Sequence, residues 1–297
     1  MRSDTPRVIL LTGASSGIGA EVARQAARSG HRLVLTARRA DRLEQVGRTV
    51  HDAGAEALIV ATDLAEPNAP ERLVAATIER FGGLDVLINN AGFGLPHLFA
   101  RADPRAIERQ LQVNFVAPIL LTRLALPHLI ERRGTVINVG SSITCVANPA
   151  FGAYGATKAG LAYFNDALRR EVRHRGLRVC LVEPGPVATE FFEAMGIAQS
   201  QSATSFNPLR DPPRPWMIAS SEETARRIVR LIDHPRRRIS ILRRLVWPYR
   251  VAGALIQAAP WIGDVVLSRM VQELEQTATG NTTTSPEESS QSARPAP

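Results

Sequence analysis

Residues 8–19 read Val8-Ile9-Leu10-Leu11-Thr12-Gly13-Ala14-Ser15-Ser16-Gly17-Ile18-Gly19, an aliphatic run that enters a Gly-x3-Gly-x-Gly turn. A short apolar run, a cluster of glycines and then the amphipathic pattern of Ile18–Ser29 make a strand, a tight turn and a helix. Glycine is required where the backbone must turn sharply and come close to a bound group, and the start of the next helix is where a pyrophosphate settles. The spacing is not the Gly-x-Gly-x-x-Gly of other dinucleotide binders. On its own it also fits a purely structural strand-to-helix turn, so both readings stay open at this point.

Outward from this turn the alternation continues. Strands are expected at Val8–Thr12, Leu33–Ala37, Leu58–Ala61, Val86–Asn89, Thr135–Val139 and Val179–Glu183. The helices between them fit Ile18–Ser29, Asp41–Ala53, Pro70–Phe81, Pro104–Glu131 and Ala153–Arg175. The strands are nearly continuous apolar runs, as they are when both sheet faces are covered. The implied fold class is α/β, a doubly wound, Rossmann-type parallel sheet with right-handed crossovers and a C-terminal helical extension. Residues 1–242 form the expected catalytic domain. They include a Pro-rich loop at 196–215, read as a substrate lid or an ordinary insertion, a helix at Glu222–Asp233 and a short strand at Arg238–Leu242. A basic and apolar extension follows at 243–275, then a Thr/Ser/Pro-rich tail at 276–297 that is expected to be disordered.

With 297 residues, 44% hydrophobic and 22% charged, collagen-like, coiled-coil and wholly disordered chains are excluded. No spanning helix and no signal peptide are expected. Cys145 and Cys180 are the only cysteines, so a disulfide framework is not expected and a reduced, cytoplasmic setting is. The six histidines show no metal spacing, and no metal is expected. Net charge is +8, carried by arginine, for Lys158 is the one lysine among 36 basic residues. No zinc spacing, basic heptad or aromatic RNA-binding motif accompanies that charge, which argues for a solvated surface and against nucleic acid. The one concentrated basic zone is 234–263, with six arginines, two tryptophans and no acid. It reads either as packing on the core or a partner subunit, or as a peripheral membrane contact.

Three further places end strands at the edge where open α/β sheets bind ligands. Thr36-Ala37-Arg38-Arg39 puts arginines where a dinucleotide fold selects its ribose, and arginine suits the 2'-phosphate of NADP. Asp63-Leu64 and Asn89-Asn90-Ala91-Gly92 are the others. The decisive constellation is Tyr154-Gly155-Ala156-Thr157-Lys158, with Ser141 upstream and Asn114 inside the preceding long helix. A Tyr and a Lys four apart share a helical face, so the ammonium can sit near the phenol. Moving a phenol from ~10 to ~7 takes about 4 kcal/mol, and a neighbouring cation in a dry site can supply much of it. That the single lysine stands here points to a role for a compact ammonium that a guanidinium cannot fill.

Taken together, the glycine turn at 12–19, Asn-Asn-Ala-Gly at 89–92, Asn114, Ser141, Tyr154, Lys158 and Pro184-Gly185-Pro186-Val187 resemble the short-chain dehydrogenase/reductase family over about residues 1–195. The resemblance implies that Tyr154 is the general acid or base and that Ser141 hydrogen-bonds the substrate carbonyl. It implies further that Lys158 holds the ribose and lowers the Tyr154 pKa, and that Asn114 anchors a proton relay. Ser141 lies 13 residues before Tyr154, the family spacing, with the adjacent Ser142 as the alternative. The implied cofactor is NADP(H), held by Gly13, Ser15, Ser16, Gly17, Ile18, Gly19, Arg38, Arg39, Asp63, Leu64, Asn90, Ala91, Gly92, Tyr154, Lys158, Pro184, Gly185, Val187 and Thr189. The expected reaction interconverts a carbonyl and an alcohol on a hydrophobic small molecule, in a homo-oligomer. A catalytically idle NADP-binding sensor or scaffold is the alternative, and it leaves the Tyr154, Lys158 and Ser141 spacing unexplained.

Overall fold

The structure, a computed structural model, describes residues 5–188, 218–241, 243–261, 263–265, 267–268 and 271–272. Strands β1 (Val8–Thr12), β2 (Arg32–Ala37), β3 (Ala57–Ala61), β4 (Val86–Asn89), β5 (Thr135–Val139), β6 (Arg178–Glu183) and β9 (Arg238–Ser240) form one sheet in the order β3-β2-β1-β4-β5-β6-β9. Each neighbouring pair is parallel. β7 (Val187–Ala188) and β8 (Ala219–Ser220) make a separate two-strand ladder. Helices are α1 (Gly17–Arg28), α2 (Ala40–Asp52), α3 (Ala69–Phe81), α4 (Pro104–Leu111), α5 (Ala117–Glu131), α6 (Gly152–Val172), α7 (Ser221–Asp233) and α8 (Arg243–Ala258).

The alternation of side chains along each strand splits the core in two. In β1, Ile9 and Leu11 pack with residues of α1, α2 and α7, including Val22, Leu43 and Ile228. Val8 and Leu10 pack on the other face with residues of α3, α5 and α6, including Leu73, Leu121 and Leu168. Every β1 residue is buried, and each of the four aliphatic ones, Val8 to Leu11, is worth about 1.5–3 kcal/mol, which is why both sides of the strand are apolar there.

Two expectations change. The strand near 238 is shorter, Arg238–Ser240, and joins the main sheet beside β6. The expected single helix over 104–131 holds a π turn at Gln112–Val116 between α4 and α5. There the Ala117 N–H bonds the Gln112 carbonyl, and Pro118 has no N–H to give to the carbonyl of Asn114. The same stretch, Pro104–Glu131, is long and apolar enough to cross a membrane by length and composition alone. Its apolar residues Ala117, Leu121, Ala125 and Leu129 are buried against the sheet, so its hydropathy is that of a core helix.

Candidate active site

The sheet order reverses between β1 and β4, and the crevice at the carboxyl ends of these strands is where such folds take ligands. Gly13–Gly19 leaves β1 there and Asn90–Gly92 leaves β4. Gly13 has φ +69°, and a Cβ on it would lie 2.8 Å from the Ala91 Cα. A Cβ on Gly19 would lie 2.1 Å from the Gly13 carbonyl oxygen, so the turn can close only without side chains. Thr12 ties the two turns together, its hydroxyl accepting the N–H groups of Asn90 and Ala91 at 3.0 Å each. The Asn90 amide donates to the carbonyls of Thr12 and Gly13 at 2.9 and 3.2 Å, which makes its side chain a brace for the glycine turn.

Helix α1 starts at Gly17 with no side-chain cap from Ser16 and no acid in its first turn. The Ser16 hydroxyl instead accepts from Arg39 Nη2 at 2.7 Å, which brings a guanidinium alongside the turn. A glycine cradle, an uncapped helix start and adjacent arginines fit the phosphates of a dinucleotide. Ser15, Gly17 and Ile18 are half-buried around the turn, with Ile18 packed on the α1 side of the core. Arg38 is exposed and faces the Asp63 carboxylate. Burial pushes the Asp63 carboxyl up, but the Ala65 N–H, the ion pair with Arg109 and the charge of Arg38 outweigh it and hold the group below the usual carboxylate range. Leu64 is buried among core residues, so its side chain belongs to packing and not to the crevice.

At the other end, Tyr154 and Lys158 stand one turn apart on α6, 8% and 4% exposed. The Ser141 hydroxyl, at the end of β5, is hydrogen-bonded to the Tyr154 phenol and accepts the Ile143 N–H at 3.2 Å. Ser142 opens the short 3-10 turn Ser142–Cys145 and donates its N–H to the Pro184 carbonyl at 2.9 Å. Asn114, wholly buried in the π turn, accepts the Phe93 N–H at 3.0 Å and donates to the Phe93 carbonyl at 2.8 Å. A Cβ on Gly92 would sit 3.2 Å from both Asn114 Oδ1 and Lys158 Nζ, so these three residues meet at one point. Pro184 and Gly185 follow β6, and Pro186 accepts the Ala219 N–H at 2.8 Å beside Val187 in β7. Thr189 and the loop 196–215 lie outside the described residues.

The electrostatics differ from the simple picture of a lysine lowering a phenol. Burial pushes Tyr154 up to about 12, and the Ser141 hydrogen bond opposes it only in part. Burial likewise pushes Lys158 down to about 8. The Lys158 Nζ lies 5.9 Å from the Tyr154 ring centroid and donates to the Val139 carbonyl at 2.9 Å. In the protein alone, desolvation dominates both groups, opposed at Tyr154 by the Ser141 hydrogen bond.

A family model described as short chain dehydrogenase matches residues 7–199. The chain belongs to this family. Among similar short-chain dehydrogenases, an "11-beta-hydroxysteroid dehydrogenase" of Pinus massoniana is 32% identical over 75% of this chain and 63% of that protein. A "Dehydrogenase/reductase SDR family member 7" of Mus musculus is 34% identical over 63% of this chain and 57% of its own length. The chain thus spans less than two thirds of the length of these curated relatives. A short-chain dehydrogenase from Sphingobium yanoikuyae, solved in complex with NADPH, is 26% identical with TM-score 0.70 over 85% of this chain and 96% of that one.

Within this short-chain dehydrogenase, four contributors escaped the sequence reading. Thr12 carries the junction between the two turns, and its place directly before Gly13 was a usable signal. The Phe93 backbone fixes Asn114, the Val139 carbonyl holds Lys158, and Arg109 pairs with Asp63 from 46 positions away. No local pattern in the chain announces these three.

Proposed function

We propose that the protein is an NADP-dependent reductase that converts the carbonyl of a hydrophobic ketone or aldehyde to an alcohol, with Tyr154 as the proton donor. The carrying observation is the hydrogen bond between Ser141 and Tyr154 beside Lys158, at one end of a crevice whose other end is the glycine turn flanked by Arg38 and Arg39. Relatives named for hydroxysteroid oxidation and a neighbour solved with NADPH agree with a hydrophobic carbonyl substrate and with NADP.

Gly13, Ser15, Ser16, Gly17 and Gly19 would hold the cofactor's phosphates, and Arg38 and Arg39 its 2'-phosphate. When bound, NADPH supplies the hydride to the carbonyl carbon. The rest of the chemistry belongs to the chain. Ser141 holds the substrate oxygen at the point where its hydroxyl already meets the phenol. Tyr154, pushed to about 12, is protonated at neutral pH and so stands as the proton donor. As the phenol gives up its proton, the nearby Lys158 ammonium offsets the phenolate charge. Asn114, pinned to Phe93 by two hydrogen bonds, keeps the Gly92 end of the crevice in register.

The test is NADPH consumption, followed by absorbance, over a panel of ketones and aldehydes graded in hydrophobicity. Turnover that rises with substrate hydrophobicity and is faster with NADPH than NADH is expected. Tight NADPH binding with no turnover of any carbonyl would favour the idle sensor instead.

A further inference from the structure

Among the described residues, five of the large apolar side chains left exposed fall in one stretch: Trp247 (65% exposed), Val251 (40%), Leu255 (61%), Trp261 (67%) and Val265 (49%). Trp247, Val251 and Leu255 are spaced four apart, so they form one stripe along α8. The opposite side of the helix is committed to the core. A Cβ on Gly253 would stand 1.7 Å from the Cys145 carbonyl oxygen, so α8 presses its backbone on the turn that follows Ser141. At about 100° per residue, Gly253 lies roughly 200° round the helix from Val251. Arg250 pairs with Glu183, which is 3% exposed at the end of β6. Packing on the core therefore explains one face of α8 and leaves the apolar stripe outside.

We propose that this stripe is a docking surface for an anionic lipid bilayer, with α8 lying in the interface plane and Trp247, Leu255 and Trp261 entering the headgroup boundary. Charge selects this occupant over a second copy of the chain. Residues 234–263 hold six arginines and no acid, and a two-fold contact through the stripe would set this segment against itself. Three of the six, Arg237, Arg238 and Arg250, are paired with Asp166 or Glu183. Arg236 is exposed, and the sequence of the same segment adds the charges of Arg243 and Arg244. These last two occupy the first turn of α8, which carries no acid, whereas the first turn of α7 carries Glu222 and Glu223. Two cations at the positive end of a helix dipole are unfavourable by themselves and become favourable when an external anion sits there. Aromatic residues flanking aliphatic ones beside arginine is the composition of a helix that lies on a membrane.

The experiment is co-sedimentation of the full chain with phosphatidylcholine vesicles and with vesicles that also contain phosphatidylserine, at low and high salt, with molar mass measured in parallel by light scattering. Trp247→Ser/Leu255→Ser and Arg243→Gln/Arg244→Gln are the variants, with folding checked by circular dichroism. Binding to the phosphatidylserine vesicles at low salt is expected, falling at least roughly tenfold in each variant and at high salt. Absence of binding to anionic vesicles at low salt, or binding that both variants retain in full, would overturn the proposal. Loss of a dimer in Trp247→Ser/Leu255→Ser, with no vesicle binding by the wild type, would overturn it in favour of a second copy.

Discussion

Lys158 reaches across from α6 to the last residue of β5, its Nζ donating to the Val139 carbonyl oxygen at 2.9 Å. The ammonium is thereby held inside the sheet edge, and burial lowers it from an ordinary 10.5 to about 8. Below pH 8 both folded and unfolded chains are protonated here, and the folded state carries the whole cost of the buried charge. Between pH 8 and 10.5 the folded state sheds the proton while the unfolded state keeps it, so stability rises with pH. The displacement corresponds to about 3 kcal/mol. Relative to Lys158→Met, the wild-type protein without cofactor should therefore gain about that much between pH 8 and 10.5 in urea unfolding. Parallel pH courses for the two proteins would show that the lysine is not buried as described.

Tyr154→Phe keeps the ring and its edge contact with Phe151 and removes only the hydroxyl. Turnover should fall by at least ~100-fold, the ordinary worth of a general acid, while NADPH binding by titration stays within a small factor of wild type. Near-normal turnover would remove Tyr154 from the mechanism.

The strands were legible because each is a short apolar run bounded by turn residues. β1, β4 and β5 fall where the runs place them, and β2 and β3 begin one residue earlier. The site was legible wherever chemistry and spacing coincide, as in Tyr154, Lys158 and the glycine turn. What stayed hidden depends on the fold bringing distant groups together. The π turn at Asn114 needs the missing N–H of Pro118, a signal present in the chain but silent until the helix is built. The burial that raises Tyr154 in the protein alone is likewise absent from the spacing, which shows only that a lysine stands four residues on. The Arg109 partner of Asp63 comes from a different element with no spacing rule.

Arg39 and Arg38 flank the glycine turn differently, Arg39 bonded to Ser16 and Arg38 exposed beside Asp63. A guanidinium that meets a phosphate is worth about 1.5–3 kcal/mol. Arg38→Asp should weaken NADPH by roughly 10–100-fold and shift the preference toward NADH, and Arg39→Ala should weaken NADPH less. Wild-type protein that binds NADH more tightly than NADPH in a titration would contradict the assignment to NADP.

Gly19→Ala adds one methyl group at 2.1 Å from the Gly13 carbonyl oxygen. The obstacle is backbone, so relief requires the turn itself to open, with the Asn90 bonds to Thr12 and Gly13 disturbed as it does. Cofactor binding should be lost, with a stability cost of about 1–3 kcal/mol as for other overpacked sites. Gly155→Ala is the control, because a Cβ there meets nothing within 4 Å. It should leave binding and stability close to wild type in the same titration and thermal melt.

Among the described residues Glu183 is the most deeply placed acid of the carboxyl-end edge, 3% exposed, and three groups from the C-terminal part of the chain converge on it. Arg250 pairs with one oxygen, Ser240 donates to that same oxygen at 3.1 Å, and Arg238 Nη1 lies 3.4 Å from the other. A carboxylate this buried is costly unless paired, so removing a partner leaves desolvated charge behind. Arg250→Met retains the aliphatic stem and deletes the charge. It should destabilise the protein by about 2 kcal/mol, less than the 3–5 kcal/mol of a fully orphaned buried charge because Arg238 and Ser240 remain. The loss should be local first, since Arg250 ties α8 to Glu183 close to where Gly253 presses the helix on the Ser142–Cys145 turn. Limited proteolysis should then cut Arg250→Met within 243–258 under conditions where the wild type resists. Glu183→Gln/Arg250→Met, which removes both charges, should recover part of the lost stability. If the double variant is no more stable than Arg250→Met, the buried charge is not what the arginine serves.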